Sequence, residues 1–206
     1  MTSLASTARR DLADLLESTG PTAPTLCGDW TTRDLAAHVI LRERRPDAAA
    51  GIMVPALAGH TQSVQDEIAA QPWPSLVWRV RNRPTLLIGL VDDLINTTEF
   101  FIHGEDVRRA TPEWEPLPLV QAREAAFWRT LRVRGRLFFR RSPVGVVLEL
   151  PDGSSHVAKE GTPSVTLVGA ASELLLYAYG RTDHTTVEVR GDAATVRAFT
   201  GTDLSV

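Results

Sequence analysis

The chain has 206 residues, 43% of them hydrophobic and 23% charged, and a net charge of −3 from 22 basic and 25 acidic side chains. This is the composition of a folded globular protein of one large or two small domains, and it offers no general attraction to nucleic acid or anionic lipid. No apolar run approaches the ~20 residues of a membrane-spanning helix, and Met1–Ala5 lacks the basic-then-apolar layout of a signal peptide.

Leu4, Ala8, Leu12, Leu15 and Leu16 recur at helical spacing and predict a helix over 3–18, ended by Gly20-Pro21. The loop that follows carries Cys27, the single cysteine, which excludes a disulfide framework and a cysteine-rich zinc site. With no histidine near it in sequence, Cys27 reads as a structural thiol. Thr31 and Asp34 form a capping box, with Trp30 and Leu35 as its hydrophobic staple, and open a helix that stops at Pro46. The Gly/Ala/Pro-rich stretch 46–59 reads as a loop and as the side where a substrate enters. Short helices are expected over 61–70 and 74–82, then long ones over 86–109 and 119–140.

Beyond Ser142-Pro143 the pattern changes to strands over 144–150, 155–159, 164–168 and 185–190, with helices over 171–180 and 192–200. The expected fold class is α+β. A four-helix bundle of 3–18, 31–45, 86–109 and 119–140 occupies residues 1–142. A small α+β domain over 143–206, too short for a large core of its own, is expected to dock on it.

The chemistry points to Leu94–Asp106. Glu99 and His103 are spaced i, i+4 and share a helix face one turn apart. Counting back by fours from His103 gives Glu99, Ile95 and Val91, so the acid continues an apolar stripe. A carboxylate there is costly unless it is paired or binds a metal. His38 lies on the apolar side of the second helix with Leu35, Val39 and Leu41. Two imidazoles and a carboxylate converging inside a bundle make a three-ligand metal site with a position left for water or substrate. The alternative is that Glu99 and His103 only hydrogen-bond each other, with His38 an ordinary core histidine. His60, at a helix start, and His156 and His184, in turns, are expected to face solvent.

Cys27-Gly28-Asp29-Trp30-Thr31-Thr32-Arg33-Asp34-Leu35-Ala36-Ala37-His38 resembles the start of the metal-binding domain of mycothiol-dependent maleylpyruvate isomerases, within the DinB/YfiT-like helical-bundle superfamily. Glu99-Phe100-Phe101-Ile102-His103-Gly104-Glu105-Asp106 resembles that domain's second motif, Glu-x-x-x-His with an aspartate three residues on. Over nearly its whole length the chain is similar to an actinobacterial group of small metal-binding proteins, Glu173–Arg181 included.

The resemblance implies that His38, Glu99 and His103 bind a divalent metal, zinc first, with nickel or iron as alternatives. It implies mycothiol, a low-molecular-weight thiol, as cofactor. The metal would favour the thiolate, which attacks a small electrophilic substrate in isomerisation or S-transfer. All but Lys159 of the 22 basic residues are arginine, as G+C-rich coding favours, which agrees with a mycothiol-using source. Hydrolysis by metal-bound water and a non-catalytic, metal- or ligand-binding regulatory role are the alternatives. Two histidines and a carboxylate also serve non-haem iron oxygenases, but a helical mounting argues against that chemistry.

Asp106 is the candidate to orient a histidine ring, with a surface salt bridge to Arg108 or Arg109 as its other reading. Arg181 is the candidate contact for an anionic substrate, with the cap of its own helix as the alternative. Asp34 could orient His38, but capping explains it as well. The stripe Arg129, Arg132, Arg136 and Arg140 is expected to be solvated or interdomain, paired with local acids. A cytoplasmic monomer or homodimer is expected.

Overall fold

In the computed structural model, which describes residues 3–52, 54–82 and 93–202, helix α1 (Leu4–Thr19) begins where the Ser3 hydroxyl accepts from the Ser6 amide at 3.2 Å. It ends at Gly20, whose φ of 83° suits a residue without a Cβ. Helix α2 (Thr32–Arg44) opens on the expected capping box: the Thr31 amide donates to the Asp34 carboxylate at 2.9 Å. Asp34 is therefore engaged in capping.

The stretch 46–59 is more helical than expected. It holds α3 (Pro46–Ala49), 3₁₀ turns at Ala50–Ile52 and Pro55–Leu57, and the start of α4 (Ala58–Ala69). Alanine is the best helix former, and Pro46 occupies the first helical position, where its missing N–H costs nothing. Helices α5 (Trp73–Arg81) and α6 (Asp93–Arg108) follow. The part of the expected long helix before Asp93, Val91 included, lies outside the described residues.

Two compact units divide between Trp114 and Glu115. In the first, α1 packs on α6 and α5, and α2 packs on α4 and α5. Leu12, Leu16, Leu35, Ile40, Leu41, Leu76 and Phe100 form the heart of its core. Each such side chain contributes about 1.5–3 kcal/mol by leaving water. Inside this core Arg9 pairs with Glu43, donates to the Val80 carbonyl at 3.0 Å and lies 4.5 Å over the Phe100 ring. One guanidinium thereby ties α1 to α2, α5 and α6.

In the second unit, α7 (Gln121–Phe138) precedes a sheet of β1 (Gly145–Glu149), β2 (Ser155–Lys159), β3 (Ser164–Val168) and β4 (Glu188–Arg190), with α8 (Ala171–Ala178) and α9 (Ala193–Thr200) between and after. The strand order is β2-β1-β3-β4, with β1 parallel to β3 and the other pairs antiparallel. Val146, Leu148, Val165 and Leu167 are fully buried, the alternation expected of strands with one face on a core.

The α+β class agrees with these elements. Residues 119–140 are the expected fourth bundle helix and residue 142 the expected domain end; α7 packs on α8 and β2, and the compact units divide at 114/115. Gly135 is what permits the close approach of α7 to β2. A Cβ there would stand 2.9 Å from the Ala158 Cβ. Gly135→Ala is therefore expected to lower stability by about 1–3 kcal/mol through overpacking, despite alanine's better helix propensity. A urea melt at or above wild-type stability would refute this account of the packing.

Candidate metal centre

Helix α6 is buried almost all round. Phe100, Ile102 and Val107 join the core, while Thr97, Thr98, His103, Glu105 and Asp106 are buried polar groups. Such a helix is unstable unless its charges have partners, and they do. Glu105 pairs with Arg109 and Arg108, each at 2.6 Å, and the Arg109 guanidinium lies 4.4 Å over the Trp114 ring. Both arginines that the sequence offered to Asp106 thus pair with Glu105. Asp106, with no exposed surface, meets His103 Nδ1 at 3.0 Å.

That contact sets the geometry of the site. Nδ1–H donates to the Asp106 carboxylate, which leaves Nε2 with its lone pair turned the other way. Nε2 stands 3.8 Å from Glu99 Oε2, too far for a hydrogen bond. Ligand atoms around a tetrahedral zinc ion, each ~2.0–2.1 Å from it, are roughly 3.4 Å apart. The gap between Glu99 and His103 is therefore of the size a cation fills.

His38 completes the group from α2. Its ring centroid is 5.3 Å from that of His103, at 77° to it, and 5.1 Å from Trp30. His38, Glu99 and His103 each offer one ligand atom, all within 4.8 Å of one another. The residues are only partly enclosed: the Glu99 side chain keeps 24% of its exposure, and Arg42, whose Nε is 3.7 Å from Glu99 Oε2, keeps 20%. Arg42 also donates to Asn96 Oδ1 at 2.9 Å. The donor set is thus two imidazoles and one carboxylate with a side toward solvent, which suits zinc and leaves room for an exogenous ligand. Electrostatics agree. Burial, then His103 and then Arg42 hold His38 down at about 3, far below the ordinary imidazole range, so it is a neutral donor at physiological pH.

A second group escaped the sequence reading. Cys27 Sγ donates to Asp106 Oδ2 at 3.0 Å, the same oxygen that His103 faces. Its loop is fixed by the Leu26 amide on the Asp106 carbonyl at 3.0 Å. Nothing local in the sequence signals a contact between positions 27 and 106.

The remaining candidates lie elsewhere. His60 is exposed, 3.7 Å from Asp47. His156, expected in solvent, is half-buried with its ring 6.4 Å from Trp128, and His184 is also half-buried. Arg181 follows α8 in the second unit. Its Nη1 donates to the Tyr179 carbonyl at 2.6 Å and its amide to the Leu176 carbonyl at 3.1 Å, the geometry of a helix cap. The stripe on α7 lacks the expected pairing: Arg129, Arg132 and Arg136 are exposed and have no acidic partner among the described residues.

Among solved structures, the fold is shared with the mycothiol-dependent maleylpyruvate isomerase (TM-score 0.57, 17% identity) and a histidine-to-alanine variant of it (TM-score 0.58, 15% identity). In both cases 90% of each chain is covered. No family model and no curated protein sequence matches the chain. Among the described residues no helix is long and apolar enough to cross a membrane.

The depressed His38 has a consequence for stability. An unfolded chain protonates this histidine near pH 6.5, whereas the folded, metal-free chain resists doing so until about pH 3. The unfolded state therefore binds more protons in that window, and stability falls as pH drops through it, by up to ~1.4 kcal/mol per pH unit from this group. Urea melts of chelator-treated protein at several pH values, set against His38→Gln, check this. The account fails if wild type loses no more stability in acid than the variant.

Proposed function

We propose that the chain is a metal-dependent enzyme acting on a small electrophile with a low-molecular-weight thiol, mycothiol being first choice, in an isomerisation or S-transfer. The observation that carries this reading is the convergence of His38, Glu99 and His103, from two helices, with a side open to solvent. A structural metal would be closed off by four protein ligands, whereas catalytic sites keep a position free. The shared fold with a mycothiol-dependent isomerase supplies the thiol and the reaction class as a reading, not the substrate.

His38, Glu99 and His103 would hold the ion, which when bound supplies the Lewis acidity that favours a thiolate at neutral pH. The chain's own residues prepare that chemistry. Asp106 keeps the His103 proton on Nδ1 and the ring turned toward Glu99. Trp30 packs on the His38 ring and limits its rotation. Arg42 supplies a positive charge beside Glu99 that offsets the carboxylate until the site is loaded. Arg181 serves as the cap of α8, and no part in the reaction is assigned to it.

Protein purified without chelators is expected to carry about one divalent ion per chain, measured by elemental analysis. His103→Ala is expected to lose nearly all of it. With mycothiol and a panel of conjugated alkenes, epoxides and alkyl halides, metal-loaded protein is expected to consume at least one substrate, and metal-free protein none. Full metal content in His103→Ala removes the ligand assignment. Thiol-independent turnover of an ester or amide would make the enzyme a hydrolase, and no turnover of any kind would leave a non-catalytic metal-binding protein.

A further inference from the structure

We propose that Cys27 is a positioning residue of this metal centre, acting through Asp106 on the His103 ring; the proposal rests on the metal-centre reading above. Two donors converge on one buried oxygen. Cys27 Sγ and His103 Nδ1 each stand 3.0 Å from Asp106 Oδ2. A carboxylate with no solvent exposure is oriented by its protein partners alone, and the thiol is one of those that hold Asp106 Oδ2. Removing it loosens the carboxylate and, with it, the direction of the ring that Asp106 aims at Glu99 and His38.

The same cysteine anchors the loop that supports the other imidazole. The Cys27 amide donates to Thr25 Oγ1 at 3.1 Å, and that hydroxyl donates to the Trp30 carbonyl at 2.8 Å. Trp30 in turn lies against His38. Cys27 thus reaches both histidines, one through Asp106 and one through the loop.

A rival role is direct ligation, since Cys27, His103 and Asp106 also offer atoms within 4.8 Å of one another. Ligation there would engage His103 through Nδ1, the nitrogen already facing Asp106, and withdraw Nε2 from the group formed with His38 and Glu99. The observed hydrogen bonds favour the positioning role.

Cobalt(II) binding by full-length wild type, Cys27→Ala and Cys27→Ser separates these roles. Cys27→Ala is expected to bind cobalt about 10-fold more weakly, the low end of the ~10–100-fold cost of removing the outer partner that bonds a metal-bound histidine directly, since Cys27 acts through that partner, Asp106. Its visible ligand-field spectrum is expected to shift. Cys27→Ser, whose hydroxyl can still donate to Asp106, is expected to recover affinity and spectrum to within a few-fold. A purely structural thiol would change the melting temperature and leave the spectrum of the folded, loaded protein unmoved. Wild-type affinity and spectrum in Cys27→Ala overturn the proposal. So does a sulfur-to-cobalt charge-transfer band in wild type that vanishes in Cys27→Ala, because it makes Cys27 a ligand. Failure of the underlying reading looks different: wild type takes up no cobalt, or His38→Ala binds it as wild type does.

Discussion

The two nitrogens of the His103 ring do different work, and the site depends on their being held apart in role. Nδ1 is committed to Asp106 at 3.0 Å, so Nε2 faces Glu99 at 3.8 Å with its lone pair available. Helical geometry makes the arrangement nearly automatic. Glu99 lies one turn before His103 and Asp106 about one turn after it, so acid, imidazole and acid form a row along one helix. Only His38 has to come from another helix. The α1 packing on α6, and the Arg9 link from α1 to α2 and α6, fix that helix where the row needs it.

Burying such a row is costly, and the surrounding residues reflect the cost. A buried ion pair contributes little net stability, but a buried charge without its partner can cost about 3–5 kcal/mol. In the first unit Glu105 and Arg109 are each 1% exposed and bonded to each other, and Arg9 and Glu43 are similarly enclosed. These pairs flank the site without forming it. Their physical effect is to let a helix carry Glu99, His103, Glu105 and Asp106 within eight residues and still pack on its neighbours. That also explains why α6 shows no clean division into apolar and polar faces: its charged groups find partners inside the unit.

Features set by short spacing were legible in the sequence. The Glu99/His103 pair, the Thr31/Asp34 cap and the strands β1 and β3 each depend on residues within a turn or a strand of one another. Features set by distant contacts were not. Cys27 meets Asp106 across 79 positions and Arg9 meets Glu43 across 34, and no local pattern encodes either. The fourth helix shows a second kind of limit. Its apolar residues Phe127, Leu131 and Phe138 would suit a helix bundle as well as the face of a sheet, and periodicity does not distinguish them. Gly135 was the available clue, since a glycine in mid-helix is unfavourable unless something approaches closely, and here β2 does. The alanines near 48–58 were outweighed by their glycine and proline neighbours, although the prolines fall where helices tolerate them.

Charge at the site bears on the proposed thiol chemistry. Were a dication held there, two neutral imidazoles and one carboxylate would leave it one net positive charge. Arg42, 3.7 Å from Glu99 and only partly screened by solvent, would add a second. An anionic ligand would gain far more from such a field than a neutral one, and a thiol brought there would be shifted toward its thiolate. The same field disfavours protonated His38, consistent with the direction in which burial, His103 and Arg42 already drive that ring. Donor availability and the proposed thiol activation would therefore draw on one arrangement of charge.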